Sequence, residues 1–436
     1  MTWSTQPDGD SYEAVETLPR EELLALQLSR AATMVRALAV GSPFYRAKWA
    51  ASGAEPGDIQ TLADFSRLPL VTKDELRREQ AEFPPYGRLT VAPRSTWREV
   101  HPSSGTTGQQ VRTIWTQQDV ENITAFTARL LWQMGIRPGD TIQNAFSYGL
   151  WIAGMAVHYA AHRLGALNIP IGGQPAAHQL RYLRELGPRA VFATPSFGLY
   201  VAETLAREGV DPRSLGLALG AFGGEAGVEL GGTRRRLEAG LGIRAYDIYG
   251  LSEIAPTMAA ECPAQSGLHW AEDHFLVEIL DPVTGDPVPE GTAGMLVLTH
   301  LCREGTPMIR YQTNDIARYT SAPCPCGRTH GRSEGGILGR LDDLVVYRGV
   351  KFYPTEVEAV VRQLEGFTGE YVVEVQGGTS PNQVTVVAEA TRPTTNAATV
   401  LRRALKVALL TTPQVRVVPA GTLGRTEFKS QRLHRL

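Results

Sequence analysis

Residues 176–193 read AAHQLRYLRELGPRAVFA: a helical stretch from Ala176 to Leu186, then a short apolar run, Arg189-Ala190-Val191-Phe192-Ala193, that reads as a buried strand. The unit recurs downstream, where Gly216-Leu217-Ala218-Leu219 reads as a second buried strand and Gly232 to Ala239 as a helix. Working outward, the alternation extends over residues 98–338, with a β-rich end near Phe275 to Thr299, and predicts an α/β sheet. Upstream, Glu21 to Val40 is an amphipathic helical run stopped by Gly41, Ser42 and Pro43. Two further helical pieces are separated by Leu68-Pro69-Leu70, with Thr72 as N-cap and Glu75 completing a capping box. After Arg340 the texture changes to a helix (Thr355 to Leu364), strands at Tyr371 to Val375 and Gln383 to Ala390, a helix (Asn396 to Leu410) and a strand at Val415 to Val418. The expected architecture is a large α/β domain over 1–339 and a small α+β domain over 340–436.

With 436 residues, 43% hydrophobic and 20% charged, the chain can bury a large core. A net charge of -2 provides no global field for nucleic acid or an anionic membrane. The start, Met1 to Glu16, is polar and acidic without a signal pattern, and no apolar stretch is read as approaching the roughly 18 residues of a membrane span. Four cysteines are too few for a disulfide scaffold in a chain this long. A soluble cytoplasmic protein is expected.

The chemistry begins at Ser103-Ser104-Gly105-Thr106-Thr107-Gly108. Two glycines let backbone amides bend around an anion while four hydroxyls add donors, which makes a phosphate cradle without the Gly-Lys-Ser ending of the triphosphatase loop. Isolated, such a stretch is as often a plain turn. It is followed in order by Tyr246-Asp247-Ile248-Tyr249-Gly250-Leu251-Ser252-Glu253, Arg310-Tyr311-Gln312-Thr313-Asn314-Asp315, Gly339-Arg340-Leu341-Asp342-Asp343 with Arg348-Gly349, and Lys429. That series resembles the acyl-adenylate-forming superfamily. More closely, with Ser42-Pro43-Phe44-Tyr45, Tyr148-Gly149, Gly267-Leu268-His269 and Glu272-Asp273-His274-Phe275, the chain resembles the phenylacetate–CoA ligase family over nearly its whole length.

The resemblance implies an adenylation domain with a mobile C-terminal lid, using ATP, Mg²⁺ and coenzyme A. Joining a carboxylate to the α-phosphorus of ATP brings two anions together, so catalysis is mostly alignment and charge neutralisation. The Ser/Thr/Gly loop then holds the β- and γ-phosphates, and Glu253 offers a hard oxygen to Mg²⁺. By resemblance, Asp315 accepts the ribose hydroxyls, Gly223-Gly224-Glu225, Asp247 and Tyr249 line the adenine slot beside Gly250 and Ser252, and Arg340 approaches the ribose or α-phosphate. The tail lysine, Lys429, neutralises charge at the reacting centre; Asp342 is the hinge, and Arg348-Gly349 faces the coenzyme A channel after rotation. Three positions depart from the family pattern: Gln109 follows the cradle in place of lysine, Asn314 replaces the glycine before Asp315, and Phe428 replaces a glycine beside Lys429.

Cys262-x6-His269 and Cys324-Pro-Cys326 offer three thiols and an imidazole, a set sufficient for a closed tetrahedral zinc site. The bland reading is reduced cysteines; His274 and His330 are reserve ligands, and Cys302 reads as core. Phe146, Tyr148, Gly149 and Trp151, followed by Gly154 and His158, suit a slot for a flat aryl acid, or ordinary core packing. His158 and His162, at helical spacing, read as core or surface rather than as ligands. The expected activity is conversion of an aryl acid to aryl-AMP and then to its coenzyme A thioester, with a homodimer implied by the resemblance. The alternatives are transfer to a carrier protein or amine, a route using no thiol, or a silent ligand-binding homologue.

Overall fold

A computed structural model of the chain describes residues 11–436 apart from 55, 104–108, 151, 226, 230–231, 378–382 and 425–431. The described chain forms two compact units, one of Met1–Gly172, Ile248–Thr313 and Ala317–Glu334, the other of Gly173–Asp247, Asn314–Ile316 and Gly335–Leu436. The expected division at 339/340 concerns motion rather than contact.

The first unit opens with α1 (Arg20–Gly41), α2 (Pro43–Ser52), α3 (Leu62–Phe65) and α4 (Lys73–Glu82). The break expected at residues 41–43 is itself a helix start, since Ser42 caps α2 and Pro43 sits in its first turn. The capping box of Thr72 and Glu75 forms as expected at α4. One expectation is corrected: α1 is long and apolar enough to cross a membrane by length and composition. One stripe of it packs inward, for Leu23, Ala31, Val35 and Leu38 are buried and Gln27 donates to the carbonyls of Glu272 and Phe275.

Next come the antiparallel pair β1 (Trp97–Pro102) and β2 (Arg112–Thr116), helix α5 (Gln117–Gln133), and parallel strands β3 (Thr141–Asn144) and β4 (Leu167–Ile169) joined by α6 (Ile152–Leu164). The second unit then takes up α7 (Ala176–Leu186), β5 (Ala190–Ala193), α8 (Pro195–Arg207), β6 (Leu219–Phe222), α9 (Thr233–Leu241) and β7 (Arg244–Leu251). Strands β5, β6 and β7 pair in parallel, the pattern that alternating helices and apolar runs demand. The strand expected at Gly216–Leu219 begins only at Leu219. A short 3-10 helix ends at Gly216, whose φ of 75° turns the chain before pairing can start.

Next in chain order come β8 (Ala255–Glu261), β9 (Leu268–Trp270), β10 (Phe275–Leu280), β11 (Ala293–His300), β12 (Tyr311–Thr320) and β13 (Arg332–Arg340), of the first unit except for Asn314–Ile316 and Gly335–Arg340. The end of β7 pairs antiparallel with β8, β8 with β9, β9 with the start of β13, and β10 with β11. The second unit resumes with the hairpin β14 (Val345–Tyr347) and β15 (Val350–Phe352), α10 (Pro354–Gln363), β16 (Phe367–Gln376), β17 (Gln383–Ala390), α11 (Thr395–Leu409), β18 (Gln414–Pro419) and β19 (Leu433–Arg435). These last strands form a four-stranded sheet in the order β18-β17-β16-β19, with a core that includes Val357, Tyr371, Val386 and Leu405. Within this unit Arg236 of α9 donates to the carbonyls of Phe367 and Thr368, and Arg362 of α10 donates to Thr233.

Candidate active site

Residues 104–108 of the anion cradle, Trp151, Phe428 and Lys429 lie outside the described residues. The base of the cradle is described: Ser103 N–H donates to Val111 O at 2.7 Å, and Val111 N–H donates to Ser103 Oγ at 3.1 Å. A buried, doubly bonded pair of this kind fixes where the loop leaves and rejoins the two strands.

Glu253 follows a bulge in the β7–β8 pairing between Tyr249 and Leu251. Gly250 is required there, because a Cβ would lie 1.9 Å from Pro256 O. The bulge is followed by Ser252, whose carbonyl accepts from Thr113 Oγ1 at 3.5 Å, and by the nearly buried carboxylate of Glu253. Glu253 Oε1 meets Lys73 Nζ at 2.6 Å. Lys73 was not singled out in the sequence; its only signal is its place just after the Thr72 cap, which aims the first turn of α4. Tyr249 lies edge-on to Trp270 at 5.5 Å between centroids.

In the second unit, Gly224 adopts a φ of 91° and Glu225 Oε1 accepts the Ser196 N–H at 2.5 Å. The backbone at Gly227 approaches Asp247 so closely that a Cβ would stand 2.5 Å from Oδ2. Arg340 Nη1 lies 3.2 Å from the buried Asp315 Oδ1, and its Nη2 lies 3.4 Å from Asp342 Oδ2. Asn314 explains its departure from glycine: its φ is 64°, a conformation that asparagine tolerates better than most residues, and its amide donates to Asp342 at 3.1 Å. Arg348 and Gly349, both at positive φ, make the exposed two-residue turn between β14 and β15.

Around the expected acid slot, Phe146 is buried and Tyr148 OH accepts from Asn144 Nδ2 at 2.8 Å and Asn168 Nδ2 at 3.2 Å. Burial raises the Tyr148 pKa above the ordinary phenol value, so the hydroxyl stays protonated. The glycine needed for close approach is Gly154, where a Cβ would lie 2.5 Å from Ser147 O; Gly149, at φ 85°, has open space around its missing side chain. His158 Nδ1 is engaged by Asn168, and its ring lies tilted by 50° against that of His162, with 4.3 Å between centroids.

The four expected zinc ligands converge. Cys262, His269, Cys324 and Cys326 place their ligand atoms within 4.8 Å of one another. Cys262 Sγ is 3.6 Å from Cys324 Sγ, and Cys326 Sγ is 3.4 Å from His269 Nε2. Tetrahedral zinc–thiolate and zinc–imidazole bonds give edges of about 3.8 and 3.6 Å. His269 Nδ1 donates to His330 O at 2.9 Å, leaving Nε2 for a metal. Hydrogen bonding from the Cys262 thiol, aided by His269, lowers the Cys326 pKa, and the same bond raises that of Cys262. Burial acts to raise the Cys324 pKa, but hydrogen bonds from His269, the Cys326 backbone and Ser266 together outweigh it and lower the value to about 6. Neither reserve ligand belongs to the group: His330 engages the carbonyls of Trp270 and Val15, and His274 lies 3.3 Å from Asp273 with burial lowering its pKa to about 4. Cys302, expected as core, is partly buried.

Residues 90–301 match the model of the AMP-binding enzyme family, and residues 349–435 match that of the AMP-binding enzyme C-terminal domain. Fold and motifs together thus define an adenylate-forming enzyme. The chain is 38% identical over 381 residues to the phenylacetate-coenzyme A ligase of Thermus thermophilus, covering 87% of this chain and 84% of the relative. It is 37% identical over 391 residues to that of Aromatoleum evansii, covering 89% and 86%. The chain therefore belongs to the phenylacetate–CoA ligase family, whose members are AMP-forming acid–CoA ligases. Among solved structures, a 2-hydroxyisobutyryl-CoA ligase in the postadenylation state superposes with a TM-score of 0.94 at 31% identity, covering 99% of this chain and 94% of that one.

Proposed function

We propose that this chain converts an aryl acid of the benzoate or phenylacetate type, with ATP, to an aryl-AMP and then to the aryl-CoA thioester. The observation that carries this reading is identity of 36–38% with four phenylacetate-coenzyme A ligases over most of the chain. In the first step the acid oxygen bonds to the α-phosphorus and pyrophosphate leaves; in the second the coenzyme A thiolate bonds to the acyl carbon and AMP leaves. Asp315 accepts the ribose hydroxyls and Arg340 steadies the nucleotide, while the cradle after Ser103 takes the outer phosphates. Glu253 would hold Mg²⁺ with its buried hard oxygen, the ion supplying charge neutralisation at the phosphates; Lys73 offsets the Glu253 charge. Lys429, carried by residues 340–436, serves the first step, and movement at Asp342 brings Arg348-Gly349 forward for the second.

Zinc at Cys262, His269, Cys324 and Cys326 is part of the same proposal, supported by the tetrahedral edges and the fixed imidazole tautomer. It ties the end of β8 and β9 to the turn before β13, and would supply cross-linking rather than chemistry. The deciding experiment is acid-dependent pyrophosphate exchange over benzoic, phenylacetic, 2-hydroxyisobutyric and long-chain fatty acids, with product mass measured with and without coenzyme A. Exchange that favours an aliphatic acid would refute the aryl reading, and adenylate that ignores coenzyme A would move the acyl group to a carrier protein or amine. Metal analysis of freshly purified protein tests the zinc.

A further inference from the structure

A chain of polar side chains links β1 to α6, and the reaction as described leaves it without a role. Glu99 and His101 stand two residues apart on β1 and so share one face of the strand. His101 is buried, with Nε2 2.8 Å from Glu99 Oε2, and Tyr159 OH of α6 donates to Glu99 Oε1 at 2.6 Å. Burial acts to raise the Glu99 pKa, but hydrogen bonds with His101 and Tyr159 and the positive charge nearby together hold it below the usual value. The second imidazole nitrogen, Nδ1, lies 3.1 Å from Leu150 O. A carbonyl can only accept, so Nδ1 donates. Glu99 and Tyr159 thus set the ring from one side while it holds the Leu150 backbone from the other.

Leu150 stands between Tyr148-Gly149 and the start of α6, and its side chain is 63% exposed, so its carbonyl rather than its side chain anchors it. In the other direction β1 runs on to Ser103, at the base of the phosphate cradle. Thr113 lies directly opposite His101 on β2; its Oγ1 donates to His101 O at 3.0 Å and lies 3.5 Å from Ser252 O, next to Glu253. We infer that His101 is a positioning residue for adenylation: it fixes the acid-slot loop at Leu150 against the strand that leads into the cradle. This rests on the reading above of the slot at Phe146, Tyr148 and Gly149, and it gives that slot a set distance from the phosphates. Attack on the α-phosphorus needs the carboxylate oxygen in line at about 3–3.5 Å, and a misplacement of about 1 Å can cost about 10²-fold. His101 acts through Leu150 rather than on either substrate.

The test uses the full-length protein with phenylacetic acid, or with the acid of the exchange panel that wild type prefers, which keeps it independent of the aryl preference. Single-turnover adenylate formation, KM for ATP and for the acid, and thioester formation from the synthetic adenylate are measured. His101→Asn places an amide nitrogen where Nδ1 stands and keeps the bond to Leu150. His101→Gln reaches the place of Nε2 and keeps only the bond to Glu99. His101→Gln should slow adenylation about 10–100-fold with KM for ATP within about 3-fold, while His101→Asn should stay within about 5-fold of wild type. Thioester formation should be near normal in both, because the acid is already joined to the phosphate; a loss of packing alone would split neither the half-reactions nor the two variants. If His101→Gln does not accumulate in soluble form, Tyr159→Phe replaces it, with adenylation slowed about 3–10-fold at unchanged KM for ATP. Tyr148→Ala should raise KM for the acid, and an unmoved value overturns the slot reading and this inference with it. A raised value there, with no difference between the Asn and Gln variants or with an unslowed Tyr159→Phe, overturns the role of His101 alone.

Discussion

The cluster of Cys262, His269, Cys324 and Cys326 and the turn of Asn314, Asp315, Arg340 and Asp342 are each assembled from two stretches far apart in sequence, yet they are built in opposite ways. In the cluster, neighbouring strands set the spacing, the imidazole is locked by His330, and Cys262, His269 and Cys324 are buried. In the turn, only Asp315 is buried; the Arg340 and Asp342 side chains are 43% and 59% exposed and their contacts lie at 3.1–3.4 Å. Exposed ion pairs of that kind contribute about 0–1 kcal/mol. The contrast suits the two proposed roles: a hinge that exchanges partners needs exposed, weak contacts, whereas a cross-link that persists needs buried ones.

The largest effect should come from the proposed hinge side of this comparison. Lys429→Ala is expected to slow aryl-AMP formation by roughly 10²–10³, the usual cost of removing a preorganised charge donor. Given synthetic aryl-AMP and coenzyme A, the same variant should form thioester at a near-normal rate, and equal losses in both half-reactions would break the hinge account. Asp342→Pro should show the opposite split, accumulating adenylate because proline fixes φ at the turn.

Cys326→Ser probes the static side. Zinc should be lost with about 3 kcal/mol of stability, or roughly 3–6 °C in Tm. Activity per folded molecule should remain within about 3-fold, and a selective loss of adenylation at unchanged Tm would contradict a structural role for the cluster. Asp315→Asn should do the reverse, raising KM for ATP about 10–100-fold as charged hydrogen bonds worth about 1.5–3 kcal/mol are lost, with Tm little moved.

Asn314→Gly is the finest test. Glycine removes the cost of a φ of 64° but also the amide that holds Asp342. Stability should change by less than about 1 kcal/mol, while the ratio of thioester formation to adenylation should rise by a small factor. An unchanged ratio would mean the Asn314–Asp342 bond does not restrain the hinge.

Much of the architecture was legible because it rests on local patterns. The helix at Ala176–Leu186 and the strand at Gln383–Ala390 have the expected bounds, since each announces its own period and flanking breaks. The elements that escaped are those whose stability is not local. β19 is three residues, Leu433–Arg435, with no periodicity of its own, and exists because Val373 of β16 offers it a parallel register. Helix α1 hid its membrane-like composition behind the charges at its start. Lys73 carries no motif and matters through its partner Glu253.

By itself, the sequence determined the α/β class, the ordered motifs that place the chain among adenylate-forming ligases, and the two cysteine-bearing stretches able to hold zinc. These follow from periodicity and from side-chain types at short spacings, which need no third dimension to read. Only the tertiary structure decided that four ligand atoms converge within 4.8 Å, that Gly154 rather than Gly149 permits the close approach, and that Asn314 reaches Asp342. Those outcomes depend on strand register and on backbone twist over dozens of intervening residues, and a one-residue change of register would turn His269 to the other face.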